Sequence, residues 1–221
     1  MRVLLIAAPY PLDEFPTPPL SLCYLAANLI ANGFEVEVLD LLTSKPSTAK
    51  IQRKLEQYRP QAVGITCVTL NFLAAATILK TCKEFDPGIT TVVGGPHVSF
   101  AAEDAFHRAP WIDIVVAGEG DVTVVDLASA LDRGADIGKV AGLYINRDGK
   151  VTKTAPRPLV DNLDELPLPA RHLLPLSKYH ALGGSVLCRQ QSRLSLWLYL
   201  LHHSPDVRSK SALSPASTGG R

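Results

Sequence analysis

The sequence predicts an α/β protein built on a parallel sheet of five strands. Short runs of β-branched and other apolar residues alternate with longer amphipathic runs, which is the pattern of successive strand–helix–strand units. Proline or glycine stands where several of these runs end, as at Gly33, Pro60 and Gly134. Apolar residues make up 47% of the 221 residues, which is enough for the core of one ordinary domain plus an appendage.

Each predicted strand is followed by a predicted helix. The five strands are expected at residues 3–8, 35–41, 61–68, 89–95 and 112–120. The five helices are expected at residues 18–33, 47–60, 71–86, 99–108 and 121–134. Pro18 and Pro19 suit the first turn of the first helix, and Ser47 suits the start of the second. This order of elements favours one layered domain over about residues 1–135.

The pattern changes after the fifth helix. Two strand-like runs flank Asp148-Gly149, which predicts a β-hairpin. Residues 156–185 are rich in proline and predict a linker with little regular structure. The hairpin and the linker together are assigned to residues 136–185, and the segment 186–221 differs in composition from everything upstream.

Composition and charge argue against several classes of partner. The formal net charge is +1, and no basic run suggests nucleic acid or a membrane surface. No stretch approaches the roughly 18–20 apolar residues that span a bilayer, and the short apolar run at the amino terminus suits a buried strand better than a signal peptide. The four cysteines form no C-x-x-C pair and are expected to be reduced thiols of a cytoplasmic protein. They are Cys23, Cys67, Cys82 and Cys188.

The loops that leave the strands are the candidate site, because open parallel sheets bind ligands at the carboxyl ends of their strands. Gly94 and Gly95 remove two side chains where the fourth strand ends. They either let a flat ligand lie against bare backbone or make a tight turn. Gly118, Glu119 and Gly120 have the same two interpretations, with exposed amides suited to polar or phosphate groups.

The sequence predicts no catalytic residue and no metal ligand. His97 lies on a strand-leaving loop and could ligate a metal or transfer a proton, but a loop histidine more commonly contacts solvent or backbone. Glu119 is expected to hydrogen-bond ligand hydroxyls or backbone rather than act as a general acid. The chain lacks G-x-G-x-x-G after the first strand and G-x-x-x-x-G-K-[ST] throughout, so the usual nucleotide motifs are missing.

Five stretches of the chain form a combined pattern. They are "PPLSLCYLAANLIANGFEVEVLD", "VGITCVTLN", "VVGGPHVS", "VVAGEGD" and "RPLVDNLDELPLPARHLLP". In order and spacing, over about residues 1–185, they resemble the amino-terminal half of B12-binding-domain radical SAM enzymes. The resemblance implies a flavodoxin-like (Rossmann-type), doubly wound sheet that binds cobalamin in its base-off form. It also implies a radical SAM barrel after the linker in the same chain.

The resemblance implies cobalamin contacts in four of the strand-leaving loops. The first loop, from Pro9 to Leu20, would face the corrin ring. A hydroxyl at Thr66 would bond the displaced lower base or the phosphodiester tail, and Gly94 and Gly95 would let that tail pass. The implied cofactor-binding positions are Pro9, Tyr10, Pro19, Leu20, Thr66, Val68, Gly94, Gly95, Pro96, His97, Gly118, Glu119 and Gly120.

Two motifs of related proteins are absent from the sequence. The first loop lacks D-x-H-x-x-G, whose histidine ligates cobalt in methionine-synthase-like domains, so no histidine ligand of cobalt is assigned. The motif C-x-x-x-C-x-x-C, expected from about residue 186, is also missing, and only Cys188 stands there. Its three thiolates hold a [4Fe–4S] cluster that binds S-adenosylmethionine, so both of those cofactors are expected only in an intact parent enzyme.

A change of reading frame would account for the missing cysteines. Codons allowed for residues 188–203, read one base later, spell AVSSRGCPYGCIYCT, which contains the complete cluster motif. We therefore predict that the frame slips near residues 184–188. Residues 186–221 are accordingly expected to be an out-of-frame, disordered tail.

Three functions are compatible with these observations. The first is the cobalamin-binding part of a truncated B12-dependent radical SAM enzyme, whose parent is a methyltransferase or a cyclase. The second is a standalone cobalamin carrier that acts with a separate partner. The third is a flavodoxin-like regulatory domain without a corrin. The first is preferred because the linker sequence that joins the two domains of the family is present.

Overall fold

The computed structural model describes residues 1–11, 16–43 and 47–182. Its seven-stranded sheet has the order β2-β1-β3-β4-β5-β6-β7, and the first five strands of the chain are parallel, as predicted. The strands are β1 (Arg2–Ala7), β2 (Glu35–Asp40), β3 (Ala62–Thr66), β4 (Thr90–Gly94), β5 (Ile114–Val116), β6 (Leu143–Arg147) and β7 (Lys150–Lys153). The predicted out-of-frame tail lies outside the described residues.

Helices follow the strands in the expected alternation. They are α1 (Leu20–Ala31), α2 (Thr48–Tyr58), α3 (Phe72–Phe85), α4 (Pro96–Phe100), α5 (Ala102–Arg108), α6 (Thr123–Asp132) and α7 (Leu176–Ala181). Ser47 begins α2 as predicted, since its hydroxyl accepts the backbone N–H of Lys50 at 3.2 Å. The single helix expected at 99–108 is instead two helices that meet at Ala101, and the first of them begins directly after Gly95.

The sheet is covered by helices on both faces, as in a doubly wound fold. Strand residues alternate between the two faces, so that Leu4 and Ile6 pack with α2, α3, α4 and α5. Leu5 and Ala7 lie on the opposite face with α1 and α6. The alternation places an apolar core on each side of β1. The helices cover the faces of the sheet, so the amino and carboxyl ends of the strands are the places where a ligand could approach it.

The predicted hairpin is present and extends the sheet. Asp148 and Gly149 form its turn with φ values of 53° and 85°, the left-handed conformation that such turns require. Strand β6 pairs antiparallel with β5, so that Ile145 lies opposite Ile114. The prediction of a five-stranded sheet followed by a separate hairpin therefore needs correction, because the hairpin is part of one seven-stranded sheet.

Residues 155–182, here called the strap, contain two short 3₁₀ turns and α7. The strap leaves β7 and runs past α6 and α1 to the carboxyl end of β2. Its contacts include the Arg157 guanidinium on the Asp126 carboxylate at 2.5 Å and the backbone N–H of Ala170 on the Cys23 carbonyl at 3.0 Å. Near the end of the strap, the side chain of Tyr179 in α7 is fully buried.

Candidate functional site: the carboxyl edge of the sheet

The reversal of strand order lies between β1 and β3. A cleft opens there at the end of the sheet where the carboxyl ends of the parallel strands lie, here called the carboxyl edge. Strand β1 is flanked by β2 on one side and β3 on the other, so the loops after β1 and β3 leave in different directions. The cleft has a volume of about 190 Å³. Its lining is Ala7, Ala8, Tyr10, Thr17, Pro18, Pro19, Leu20, Ser21, Leu42, Thr66 and Asn71. Four of the predicted site residues, Tyr10, Pro19, Leu20 and Thr66, thus come together.

A larger groove of about 400 Å³ lies at the opposite edge of the sheet. It is formed where α2 and α3 end and β3 and β4 begin, and its lining includes Arg59, Gln61 and Asp86. It contains none of the residues predicted for the site, and these side chains are exposed. The carboxyl edge is therefore the candidate site.

The two glycines after β4 have different structural roles. Gly95 has a φ of 102°, and a Cβ there would stand 2.5 Å from the Cys67 carbonyl oxygen and 2.8 Å from Thr66 Oγ1. The fold itself thus requires Gly95, because the loop after β3 packs directly against it. A Cβ on Gly94 would stand 3.6 Å from the Val116 carbonyl oxygen, which is ordinary contact. Gly94 is therefore dispensable for packing.

His97 lies in the first turn of α4, next to Pro96. Its Nδ1 is 3.2 Å from Thr69 Oγ1, and its ring packs on Phe72 with centroids 4.6 Å apart. Its Nε2 is buried and has no hydrogen-bond partner among the described residues. A buried ring nitrogen without a partner is uncommon in proteins, and a bound molecule would pair with this one only if the ring turned toward it.

The loop after β5 borders open space at Gly118 and makes internal contacts at the next two residues. Gly118 has a φ of 77°, and a Cβ added there would meet no atom within 4 Å, so this backbone borders open space. Glu119 instead accepts the backbone N–H of Val160 in the strap, at 2.8 Å to Oε2. Gly120 approaches α1, since a Cβ there would stand 3.2 Å from Leu25. The contact of Glu119 with backbone matches one of the two roles expected from the sequence.

The cleft has no formal charge on any of its described lining residues. Tyr10 is half exposed, and its partial burial, together with nearby Cys67, raises the pKa of its phenol. Burial raises the pKa of the Cys67 thiol to about 12, so this sulfur is protonated at neutral pH. Apolar surface, hydroxyls and one amide line the cleft, so an uncharged ligand could be bound there through apolar contact and hydrogen bonds.

Large apolar side chains stand exposed beside the cleft. Leu70, Leu73 and Phe100 are 62%, 68% and 68% exposed, and all three lie in helical segments that begin at the carboxyl ends of β3 and β4. Exposed apolar side chains at the ligand-binding end of a sheet are typical of a surface that binds a ligand or another domain. The amino-acid sequence alone does not identify these residues as part of a binding surface, because exposed apolar residues also occur singly on helices that bind nothing.

Asn71 is a functional candidate that sequence reasoning missed. The sequence predicts it only as the start of the third helix, but its side chain lines the cleft and is 2% exposed. The signal available in the sequence is its position at the end of "VGITCVTLN", directly after the loop of Thr66 and Val68.

The described residues contain neither a cluster of metal ligands nor a helix that could span a membrane. In residues 1–11, 16–43 and 47–182, no three His, Cys, Asp or Glu side chains are grouped so that they could hold a metal ion. No helix within the same ranges has the length and apolarity to cross a membrane.

A doubly wound sheet with an uncharged cleft at its switch point defines a ligand-binding domain of the flavodoxin-like class. The family model of the B12 binding domain matches residues 13–128, more than half of the chain, and the chain belongs to this family. The matched range includes the loops after β3, β4 and β5.

Curated relatives are considerably longer than this chain. An uncharacterized methyltransferase of Pyrococcus horikoshii is 38% identical over 166 residues, which is 75% of this chain and 36% of the relative. An anaerobic magnesium-protoporphyrin IX monomethyl ester cyclase of Rubrivivax gelatinosus is 36% identical over 154 residues, which is 67% of this chain and 28% of the relative. The chain thus spans about a third of the length of these two relatives.

Solved structures share the fold at lower identity. The cobalamin-dependent S-adenosylmethionine radical enzyme OxsB, with aqua-cobalamin bound, has a TM-score of 0.69 and 22% identity over 83% of this chain and 25% of that chain. The radical S-adenosylmethionine methyltransferase TsrM of Kitasatospora setae, with cobalamin and a [4Fe–4S] cluster bound, has a TM-score of 0.62 and 23% identity over 70% of this chain and 30% of that chain. Both neighbours have the same arrangement of sheet and helices.

Proposed function

We propose that this chain binds cobalamin at the carboxyl edge of its sheet, as the cobalamin-binding part of a B12-dependent radical SAM methyltransferase or cyclase. The observation that supports this most strongly is the family match over residues 13–128, which includes the loops after β3, β4 and β5. The named relatives include a methyltransferase and a cyclase, and the solved neighbours were determined with cobalamin bound.

The chemistry of the edge fits a corrin. The cleft of about 190 Å³ is smaller than the roughly 300–1,000 Å³ of an enclosed ligand pocket, so a corrin ring would lie across the open edge rather than inside it. The absence of formal charge on its described lining suits a ring whose periphery is apolar and bears neutral amides. The exposed Leu70, Leu73 and Phe100 provide apolar surface beside that position.

Each loop has a distinct task in the proposal. Tyr10, Pro19 and Leu20 would face the ring, and Thr66 Oγ1 would hydrogen-bond the nucleotide tail. Gly94 would leave room for that tail, and the His97 ring would contact a polar group of the tail once its buried, unpaired Nε2 turns toward the ligand. The remaining members of the proposed contact surface are Pro9, Val68, Pro96 and Gly118, while Gly95 and Gly120 hold the loops in place through their close packing.

Bound cobalamin would supply the organometallic chemistry of its cobalt. The loop after β1 contains no histidine in its sequence, so the chain offers no imidazole ligand to cobalt from the position used by D-x-H-x-x-G domains. We propose that cobalamin is bound base-off, with its lower base held away from the metal along β3 and β4. The [4Fe–4S] cluster and S-adenosylmethionine would belong to a barrel in the parent chain.

A binding experiment on the full chain tests the proposal. The purified protein is mixed with hydroxocobalamin and desalted, and we expect it to retain a corrin absorbance at the base-off position. Gly94→Leu should abolish retention without unfolding the protein, because the added side chain would fill the proposed course of the tail. Gly88→Leu, at the opposite edge of the sheet, is the matched control and should retain the cofactor. A chain that retains no corrin would instead support a flavodoxin-like regulatory domain.

A further inference from the structure

Asn71 connects the two loops that border the cleft. Its Oδ1 accepts the backbone N–H of Val68 at 2.9 Å, and its Nδ2 donates to the carbonyl oxygen of Ala8 at 3.4 Å. Ala8 directly precedes Pro9 and Tyr10, and Val68 lies two residues after Thr66. One buried side chain therefore joins the loop after β1 to the loop after β3, across the switch point of the sheet.

Both ends of the carboxamide are needed for this bridge. The Val68 N–H requires an acceptor and the Ala8 carbonyl requires a donor, and the carboxamide of Asn71 provides both from separate atoms. The side chain is 2% exposed, so water cannot readily replace either partner. A carboxylate at this position could accept from Val68 but would face the Ala8 carbonyl without a proton to donate.

We infer that Asn71 is a positioning residue for the cobalamin site, which holds the first loop and the third-strand loop at the separation that the ligand requires. The inference rests on the proposed function, because it assigns Asn71 a role in the same site. Release of the bridge would let the loop at Tyr10 and the loop at Val68 move independently, because both residues lie beyond the paired ends of β1 and β3. The bound state would then have to restore their separation. The expected consequence is weaker binding by a chain that still folds.

The chain contains a matched control for the same chemistry. Asn146, on β6, donates from Nδ2 to the carbonyl oxygens of Pro110 and Ile112 at 3.2 and 3.3 Å. Its Oδ1 accepts the backbone N–H of Gly149 at 3.0 Å. Asn146 is thus another amide that joins separate backbone segments, but it stands where β5 begins, at the opposite edge from the cleft.

The test compares Asn71→Asp, Asn71→Ser and Asn146→Asp in the full chain. Melting temperature and hydroxocobalamin affinity are measured for each, with affinity expressed per folded molecule. We expect all three to melt at lower temperature, and only the Asn71 variants to lose about tenfold or more in affinity, equivalent to about 1.4 kcal/mol. Asn146→Asp should bind within about twofold of the unmodified chain.

The outcomes separate the inference from the proposed function. If the unmodified chain binds cobalamin and both Asn71 variants bind it equally well, the positioning role is wrong while the proposed function stands. If neither Asn71 variant folds, the amide is needed for folding rather than for positioning, and the inference is also overturned. If the unmodified chain retains no cobalamin, the proposed function fails, and the inference fails with it.

Discussion

Adjacent residues of the same type have different roles at the edge of this sheet. Gly95 is fixed by its left-handed backbone and by the 2.5 Å that would separate its Cβ from the Cys67 carbonyl oxygen, whereas Gly94 has room for a side chain. A requirement for glycine at position 95 is therefore a requirement of the fold. A requirement for glycine at position 94 would have to come from a ligand. Substitutions at the two positions therefore distinguish an effect on folding stability from an effect on ligand binding.

We predict that Gly95→Ala destabilises the protein by about 3 kcal/mol, because it combines backbone strain with a clash against backbone atoms that cannot rotate away. Gly94→Ala should change the free energy of unfolding by less than about 1 kcal/mol. Urea unfolding of the two variants measures both values. Equal destabilisation by the two substitutions would contradict the packing described for β3 and β4.

The buried thiols make the free energy of unfolding depend on pH in the alkaline range. Burial raises the pKa of Cys67 from about 9 to about 12, while the unfolded chain exposes the thiol to water. Between these values the unfolded state loses its proton and the folded state keeps it. The stability contributed by the protonated thiol is therefore complete below about pH 9 and is lost as the pH rises toward 12.

We predict that Cys67→Ala reduces the decrease in the free energy of unfolding between pH 9 and pH 12. One thiol accounts for a slope of up to about 1.4 kcal/mol per pH unit in this range. Denaturant unfolding at a series of pH values measures the slope, and the difference between the two proteins below about pH 8 gives the cost of the lost packing alone. An unchanged slope in the variant would show that Cys67 titrates normally in the folded chain.

At the scale of elements, the strap is joined to the domain by a buried polar contact. Tyr179, which is fully buried, donates its hydroxyl to Asp40 Oδ2 at 2.6 Å, across 139 positions of sequence. Asp40 ends β2 and also accepts the backbone N–H of Leu42 at 2.8 Å. Burial and the contact with Asp40 together raise the pKa of Tyr179, so its hydroxyl remains a donor at ordinary pH.

We predict that Tyr179→Phe releases the carboxyl-terminal part of the strap. Loss of a buried hydrogen bond to a carboxylate costs about 1.5–3 kcal/mol, and that loss falls on the local opening of α7. Limited trypsin digestion should cleave at Arg171 and Lys178 about tenfold to a hundredfold faster than in the unmodified chain, because each 1.4 kcal/mol changes the opening equilibrium about tenfold. Tyr144→Phe removes a hydroxyl from β6, away from α7, and should leave these cleavage rates unchanged.

Local pattern was sufficient to predict the alternating elements, since apolar periodicity and turn residues are properties of neighbouring positions. It located Ser47 at the start of α2 and Asp148-Gly149 in the hairpin turn. It missed the pairing of β6 with β5 and the contact of Tyr179 with Asp40, because both depend on partners far away in sequence. The bridge made by Asn71 was missed for the same reason.

At the scale of the whole molecule, the sheet and the strap argue for a folded unit longer than the predicted domain of residues 1–135. A boundary there separates β5 from β6, although Ile145 pairs with Ile114 and both are buried. It also removes Ala170 and Tyr179, which are buried against the domain. We propose that residues 1–182 form the cobalamin-binding unit, and that the strap is part of it rather than a free linker.

The predicted change of reading frame concerns the segment that follows this unit. If the frame slips near residues 184–188, the parent chain continues beyond the strap with C-x-x-x-C-x-x-C and a barrel. That continuation agrees with relatives of which this chain covers 36% and 28%. Cobalamin and the cluster would then be held by consecutive parts of one polypeptide, joined at the end of the strap.

The nucleotide sequence around codons 180–205 tests this prediction directly. We expect one inserted or deleted base there, relative to a frame that encodes the cluster motif and continues open downstream. Expression of the corrected gene under anaerobic conditions should give a longer protein with the absorbance of an iron–sulfur cluster, in addition to any bound corrin. An intact frame in this gene and in those of related strains, with no open frame one base later, would show that residues 186–221 are genuine protein and that the cluster motif was never encoded.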